Sequence, residues 1–202
     1  MIDIVNQISA ISRQVTADTD TVAVTLQRRY PAAVADVWDA ITDPDRVRRW
    51  FLPLTGDLRP GGSFQLEGNA GGEIISCEPP EHLAVTFGGE TSLVDVRLSA
   101  DGEQTLLILE HSVPLSLAGS AAGALYVGPG WDGALMGVAL YLDGQVADDP
   151  VAAANSPEAQ QFCVESIDAW TVAVEATGSA DAGAIADGRQ AALVQFAPDL
   201  VG

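Results

Sequence analysis

The sequence has no lysine. Its nine positive charges are all arginines, set against 28 acidic side chains, so the 202-residue chain carries a formal net charge of -19. A nucleic-acid partner needs a basic footprint, and this balance repels phosphate. Cysteine is scarce: Cys77 and Cys163 lie far apart with no CxxC spacing, giving neither a disulfide framework nor a zinc site. Both read as buried free thiols. His82 and His111 are too few for a histidine-rich metal site. No apolar run reaches the ~18 residues of a membrane span. The opening MIDIVNQISAISRQ has an early Asp3 and no basic or apolar signal region. The expectation is therefore a soluble cytoplasmic protein, with no metal, cofactor, membrane or nucleic-acid partner. What is present is apolar: 48% hydrophobic residues against 18% charged ones exclude a largely disordered chain. The length fits one domain with trimmings.

Along the chain, Ile4, Ile8, Ile11 and Val15 are spaced four, three and four apart, which predicts an N-terminal helix within residues 1–16. TVAVTLQRRY (21–30) alternates as a strand. Pro31 suits a helix start, with Val34, Val37, Trp38 and Ile41 as its apolar face. Asp43-Pro44 pairs a capping carboxylate with an N1 proline and starts a short second helix, DRVRRWF. From Gly56 to Val113, glycine and proline punctuation predicts about six short strands. Among them, residues 105–109 are apolar on both faces, which predicts cover on both. WDGALMGVALYLD (131–143) is apolar nearly all round and reads as a buried helix. Residues 144–155 read as a loop. Ser156-Pro157-Glu158 starts another helix ending near Gly178, and a last helix is expected within 181–197.

This order predicts an α+β fold: a curved antiparallel sheet wrapped around a long C-terminal helix, with extra N-terminal and C-terminal helices. The expected organisation is an N-terminal helix (1–18), a central domain (19–145) and a helical extension packed on it (146–202). A curved sheet around a helix tends to leave a gap that side chains do not fill, a natural ligand pocket. Its wall is expected from Trp131, Leu135, Val138 and Leu142 on the helix. On the strands it would take Phe64, Leu66, Val85, Phe87, Val94, Val96, Leu107 and Leu109.

Several stretches carry a family resemblance: RRYPAAVADVWDAITDPDRVRRWF (28–51), GDLRPGGSFQLEGNAGGEIISCEPPEHLAVTF (56–87), LEHSVP (109–114) and GPGWDGALMGVALYLDG (128–144). They resemble the SRPBCC or START-like superfamily with its helix-grip fold. Within it they are similar to the bacterial family named after the activator of the 90-kDa heat-shock protein ATPase. The segment SPEAQQFCVESIDAWTVAVEATG (156–178) resembles an extension of some bacterial members. The resemblance implies the gripping role of the long helix and reversible binding of a hydrophobic small molecule. It leaves two alternatives, a co-chaperone-like interaction module and a cyclase-like enzyme.

The residues themselves supply no convergent acid, base and nucleophile, so no catalytic residue is assigned. His111 beside Ser112 suggests a base and nucleophile, but adjacent strand residues point to opposite faces. His111 is read instead as a structural or pocket-wall residue able to hydrogen-bond a ligand. Gly61-Gly62 and Gly71-Gly72 are not phosphate loops, lacking both the spacing and a lysine. Arg28, Arg29, Arg46, Arg48 and Arg49 concentrate five of the nine cations. They read as a solvated face pairing with Asp36, Asp39, Asp43 and Asp45, or through Arg46, Arg48 and Arg49 as a contact for an acidic protein partner. The outer helices would cover the sheet or build a homodimer.

Overall fold

The computed structural model describes residues 2–201. The chain runs α1 (Ile4–Ser9), β1 (Ile11–Ala17), β2 (Thr21–Tyr30), α2 (Val34–Thr42) and α3 (Pro44–Val47). Six strands follow: β3 (Leu54–Gly56), β4 (Ser63–Leu66), β5 (Gly71–Glu78), β6 (His82–Thr86), β7 (Leu93–Asp101) and β8 (Gln104–Pro114). Then come α4 (Leu115–Ala118), a 3-10 turn (Ala121–Tyr126), α5 (Gly128–Leu142), α6 (Pro150–Ala154), α7 (Pro157–Glu175) and α8 (Ala182–Phe196). The eight strands form one antiparallel sheet in the order β1-β2-β8-β7-β6-β5-β4-β3, the α+β class expected. β3 to β8 are thus a simple meander. No helix among the described residues is long and apolar enough to cross a membrane.

The N-terminal expectation needs correction. The helix stops at Ser9, and Ile11 and Val15 are buried on strand β1. Residues four apart share a face in a helix and also in a strand, so that spacing does not separate the two periods. Arg13 lies between them on the same strand face. Three smaller differences follow. α2 starts at Val34, three residues past Pro31, α3 ends at Val47 rather than running through Phe51 as expected, and the expected loop 144–155 contains the five-residue α6.

The chain forms two compact units whose boundaries fall inside β2, β8, α5 and α6. The first comprises Met1–Leu26, Ser112–Leu135 and Ala152–Gly202. Its core is built on α7, which Ser156 caps by accepting from the Ala159 N–H, with Pro157 in the first turn. Phe162, Ile167, Trp170 and Val174 then recur every three to five residues and are fully buried. Burial of each is worth roughly 1.5–3 kcal/mol. α7 packs on α1, β1 and α8. Gly128 lets α5 approach closely: a β-carbon there would lie 2.5 Å from the Trp170 ring.

The second unit comprises Gln27–His111 and Met136–Val151. Asp43 accepts from the Asp45 and Arg46 N–H groups and Pro44 fills the first turn of α3, as its sequence predicts. Trp50 follows, donating from Nε1 to the Ala40 carbonyl at 2.8 Å and stacking on Phe51. Its ring lies over Gly137 of α5, where a β-carbon would meet Cε3 at 2.9 Å. Gly133, one turn earlier, has nothing within 4 Å of that position. Two alanine substitutions in one helix should therefore differ in sign. Gly133→Ala should stabilise by up to about 1 kcal/mol through helix propensity. Gly137→Ala should lose that gain and more, because displacing a packed indole costs about 1–3 kcal/mol. Urea midpoints of the two variants check this, and equal shifts would refute it.

Candidate ligand-binding wall

Strand register decides which side chains share a face. Phe64 pairs with Gly72, Ile74 with Val85, Val85 with Val94, and Leu83 with Val96. Alternation along β4, β6 and β7 puts Phe64, Leu66, Val85, Phe87, Val94 and Val96 on one side of the sheet. On β8 the buried alternate positions are Thr105, Leu107, Leu109 and His111. Leu66, Val85, Val94, Val96, Leu107 and Leu109 are buried, while Phe64 and Phe87 are half-buried. On α5, Val138 is buried and Leu142 half-buried, and both belong to this unit. Leu135, buried, and Trp131, half-buried, belong to the first unit.

At one end of this face the rings line up. Phe64 and Phe87 centroids are 6.2 Å apart at 30°, and Phe87 meets the His111 ring edge-on at 6.0 Å. Such offset and T-shaped contacts suit the ring quadrupoles. His111 Nε2 lies 2.8 Å from Ser92 Oγ in a buried contact. Burial pulls the His111 pKa down to about 4, so the imidazole is neutral at neutral pH. Ser92 was not singled out from the sequence, although it stands two residues before Val94 and so on the same face. Gly72 is fixed by close approach: its β-carbon would lie 1.9 Å from the Thr86 carbonyl oxygen.

The opposite face is mixed: Leu106 and Ile108 of β8 are half-buried on it and Leu93 of β7 is exposed, beside a polar group on β6 and β7. His82 Nε2 and Asp95 Oδ2 are 2.7 Å apart, and Arg97 Nε donates to Asp95 Oδ1 at 3.0 Å. The arginine cluster is largely paired on its own surface: Arg46 with Asp39 at 3.7 Å and Arg48 with Asp45 at 3.1 Å. Arg49 lies over the Tyr141 ring, 5.6 Å from its centroid. Glu67 and Glu73 are exposed, whereas Asp132 is fully buried within the first unit.

Asp132 sits in the first turn-and-a-half of α5, and one oxygen takes three donors. Oδ2 accepts from Arg13 Nε of β1 at 2.7 Å, from Trp170 Nε1 of α7 at 3.0 Å, and from Ser166 Oγ of α7. Arg13 Nη1 donates on to the Ile8 and Ile11 carbonyls. Burial pushes the Asp132 carboxyl up, and the Arg13 charge and the three hydrogen bonds hold it back. Oδ1 and Arg13 Nη2 are buried without a hydrogen-bond partner among the described residues. Beside them, burial and then the Asp132 charge push the Cys163 thiol up to about 11. Among the described residues no group of three or more His, Cys, Asp or Glu is placed to hold a metal ion.

The comparisons with known proteins agree with this architecture. Residues 31–143 match the family model for Activator of Hsp90 ATPase homolog 1-like protein. Among solved structures, the chain is similar to CalU16 from Micromonospora echinospora, at 35% identity and a TM-score of 0.67 over 82% of this chain and 99% of that one. It is also similar to DynU16, a putative protein in the dynemicin biosynthetic locus, at 27% identity and a TM-score of 0.53, covering 63% of this chain and 48% of that one. A third relative is an AHSA1-like protein from Rhizobium etli, at 27% identity and a TM-score of 0.52, covering 64% and 88%. No curated protein matches the chain. With more than half its length matched by the family model, the chain belongs to the Activator of Hsp90 ATPase homolog 1-like family of the SRPBCC superfamily.

Proposed function

We propose that the protein reversibly binds a hydrophobic or amphipathic small molecule against the apolar face of β4–β8 and the Val138 and Leu142 side of α5. Trp131 and Leu135 extend the same helical spacing toward the N-terminus of α5. The supporting observation is that strand face. Nine residues expected to form the wall alternate onto it, and it carries no carboxylate or cation on β4, β6, β7 or β8 although the chain has 28 acids. Its one hydroxyl–imidazole pair, Ser92 with His111, has no carboxylate beside it on those strands, which favours binding over a cyclase-like reaction. A similar chain from a biosynthetic locus is in keeping with a small-molecule ligand. The pairing of Arg46 and Arg48 with their own aspartates weakens the case for an acidic protein partner.

Native mass spectrometry of protein purified from its own host tests the reading. The expected result is a near-stoichiometric adduct that denaturing extraction releases as an apolar compound. A clean mass, together with no saturable uptake of an apolar fluorescent probe, would overturn it and make a pull-down the next step.

A further inference from the structure

The ring cluster is a transverse row with one residue from, or just beyond, each of five successive strands. In strand order β4 to β8 it reads Phe64, Gly72, Phe87, Ser92 and His111. Neighbours in the row are connected by observed contacts. Phe64 and Gly72 are register partners. The Gly88 N–H donates to the Gly71 carbonyl, joining the β5 and β6 ends. The Phe87 N–H donates to the Ser92 carbonyl, and Ser92 Oγ meets His111. The row thus has two half-buried phenyl rings at one end, the Gly72 backbone between them with the Thr86 carbonyl packed against it, and a polar pair at the other.

Building on the binding function proposed above, we infer that this row recognises an uncharged aromatic ligand carrying one hydrogen-bonding group. Its ring would lie against Phe64 and Phe87 beside Gly72, and its polar group would reach Ser92.

Three features carry this. First, a hydroxyl has one donor and two acceptor positions, so the Ser92–His111 contact leaves Ser92 Oγ capacity for a second partner. Second, the row offers no fixed charge. His111 is its one titratable group, and burial keeps the imidazole neutral down to about pH 4. A carboxylate ligand would lose its hydration here without a counter-ion, inside a chain of net charge -19. A buried cation of this unit, Arg28, lies 5.5 Å from the Tyr30 ring centroid on β2, a strand that contributes no residue to the row. Third, aromatic rings reward a flat aromatic partner beyond simple area burial, which an alkyl chain does not match.

The test compares four probes by isothermal titration calorimetry on the full chain: 2-naphthol, naphthalene, 2-naphthoate and decanol. 2-Naphthol should bind tightest, with 2-naphthoate at least about tenfold weaker because its charge is buried unpaired. Ser92→Ala should weaken 2-naphthol about three- to tenfold and leave naphthalene unchanged, the loss of one hydrogen bond. Phe64→Leu, at a half-buried position that tolerates the change, should weaken both naphthalene compounds about two- to tenfold and spare decanol. Binding of decanol or 2-naphthoate as tight as 2-naphthol would overturn this inference and leave the binding function standing. Failure of all four probes would overturn both.

Discussion

Asp132→Asn should destabilise the protein by about 3–5 kcal/mol, although it removes only a charge. Asparagine can still accept from Trp170 Nε1 and Ser166 Oγ. It cannot neutralise Arg13, whose side chain is 8% exposed and has no other carboxylate partner among the described residues. A buried ion pair adds little over an apolar replacement, but breaking one strands the surviving charge. Three elements would feel the loss together, since β1, α5 and α7 all meet at one carboxylate oxygen. Urea denaturation of the full chain gives the number. A loss under about 1 kcal/mol would show that the Arg13 charge does not depend on Asp132.

The companion Arg13→Met/Asp132→Asn removes the stranded cation. It should recover more than half of the single-variant loss, giving a coupling of about 2 kcal/mol or more in the double-mutant cycle. A second readout follows from Cys163, whose thiol the Asp132 charge helps push up to about 11. In a Cys77→Ser background, Asp132→Asn should shift the pH profile of Cys163 alkylation downward. Opening of the site would also lower the profile by relieving the burial of Cys163, so the shift is read with the variant held fully folded, well below its urea transition.

What the sequence disclosed and what it hid divide along the same line. Alternation is local, so the wall strands could be read with their faces: Val94 and Val96 against Asp95 and Arg97 are separated by period two alone. Caps are local too, and Asp43-Pro44 and Ser156-Pro157 mark helix starts as their chemistry requires. Ser92 was legible in the same way, two positions before Val94, but a lone serine beside a turn draws no notice until His111 is seen against it. The pairing of Arg13 with Asp132 spans 119 residues and leaves no pattern in either neighbourhood. Arg13 was hidden further by Ile11 and Val15, whose spacing of four fits helix and strand alike. Asp132 stands in a helix that is otherwise apolar nearly all round. That is the one local sign that its carboxylate needs a buried partner.

His111 should make the protein less stable as pH falls from 6.5 toward 4. The folded imidazole takes its proton near pH 4, against an ordinary value of 6.5. Between these values the unfolded chain binds the proton and the folded chain does not. Stability therefore rises with pH across that window and is unaffected by this group below it, where both states are protonated. The shift corresponds to roughly 3 kcal/mol over the whole window. The many carboxylates add their own dependence in acid, so the informative quantity is the stability of the native chain minus that of His111→Gln at each pH. Glutamine keeps a polar partner for Ser92 and does not titrate. The difference should be flat above pH 7, fall by roughly 3 kcal/mol toward pH 4, and level off below. Parallel profiles would mean that His111 is hydrated and chargeable in the folded state. The row from Phe64 to His111 would then carry a positive charge in mild acid, and a preference for uncharged ligands would lose its physical basis.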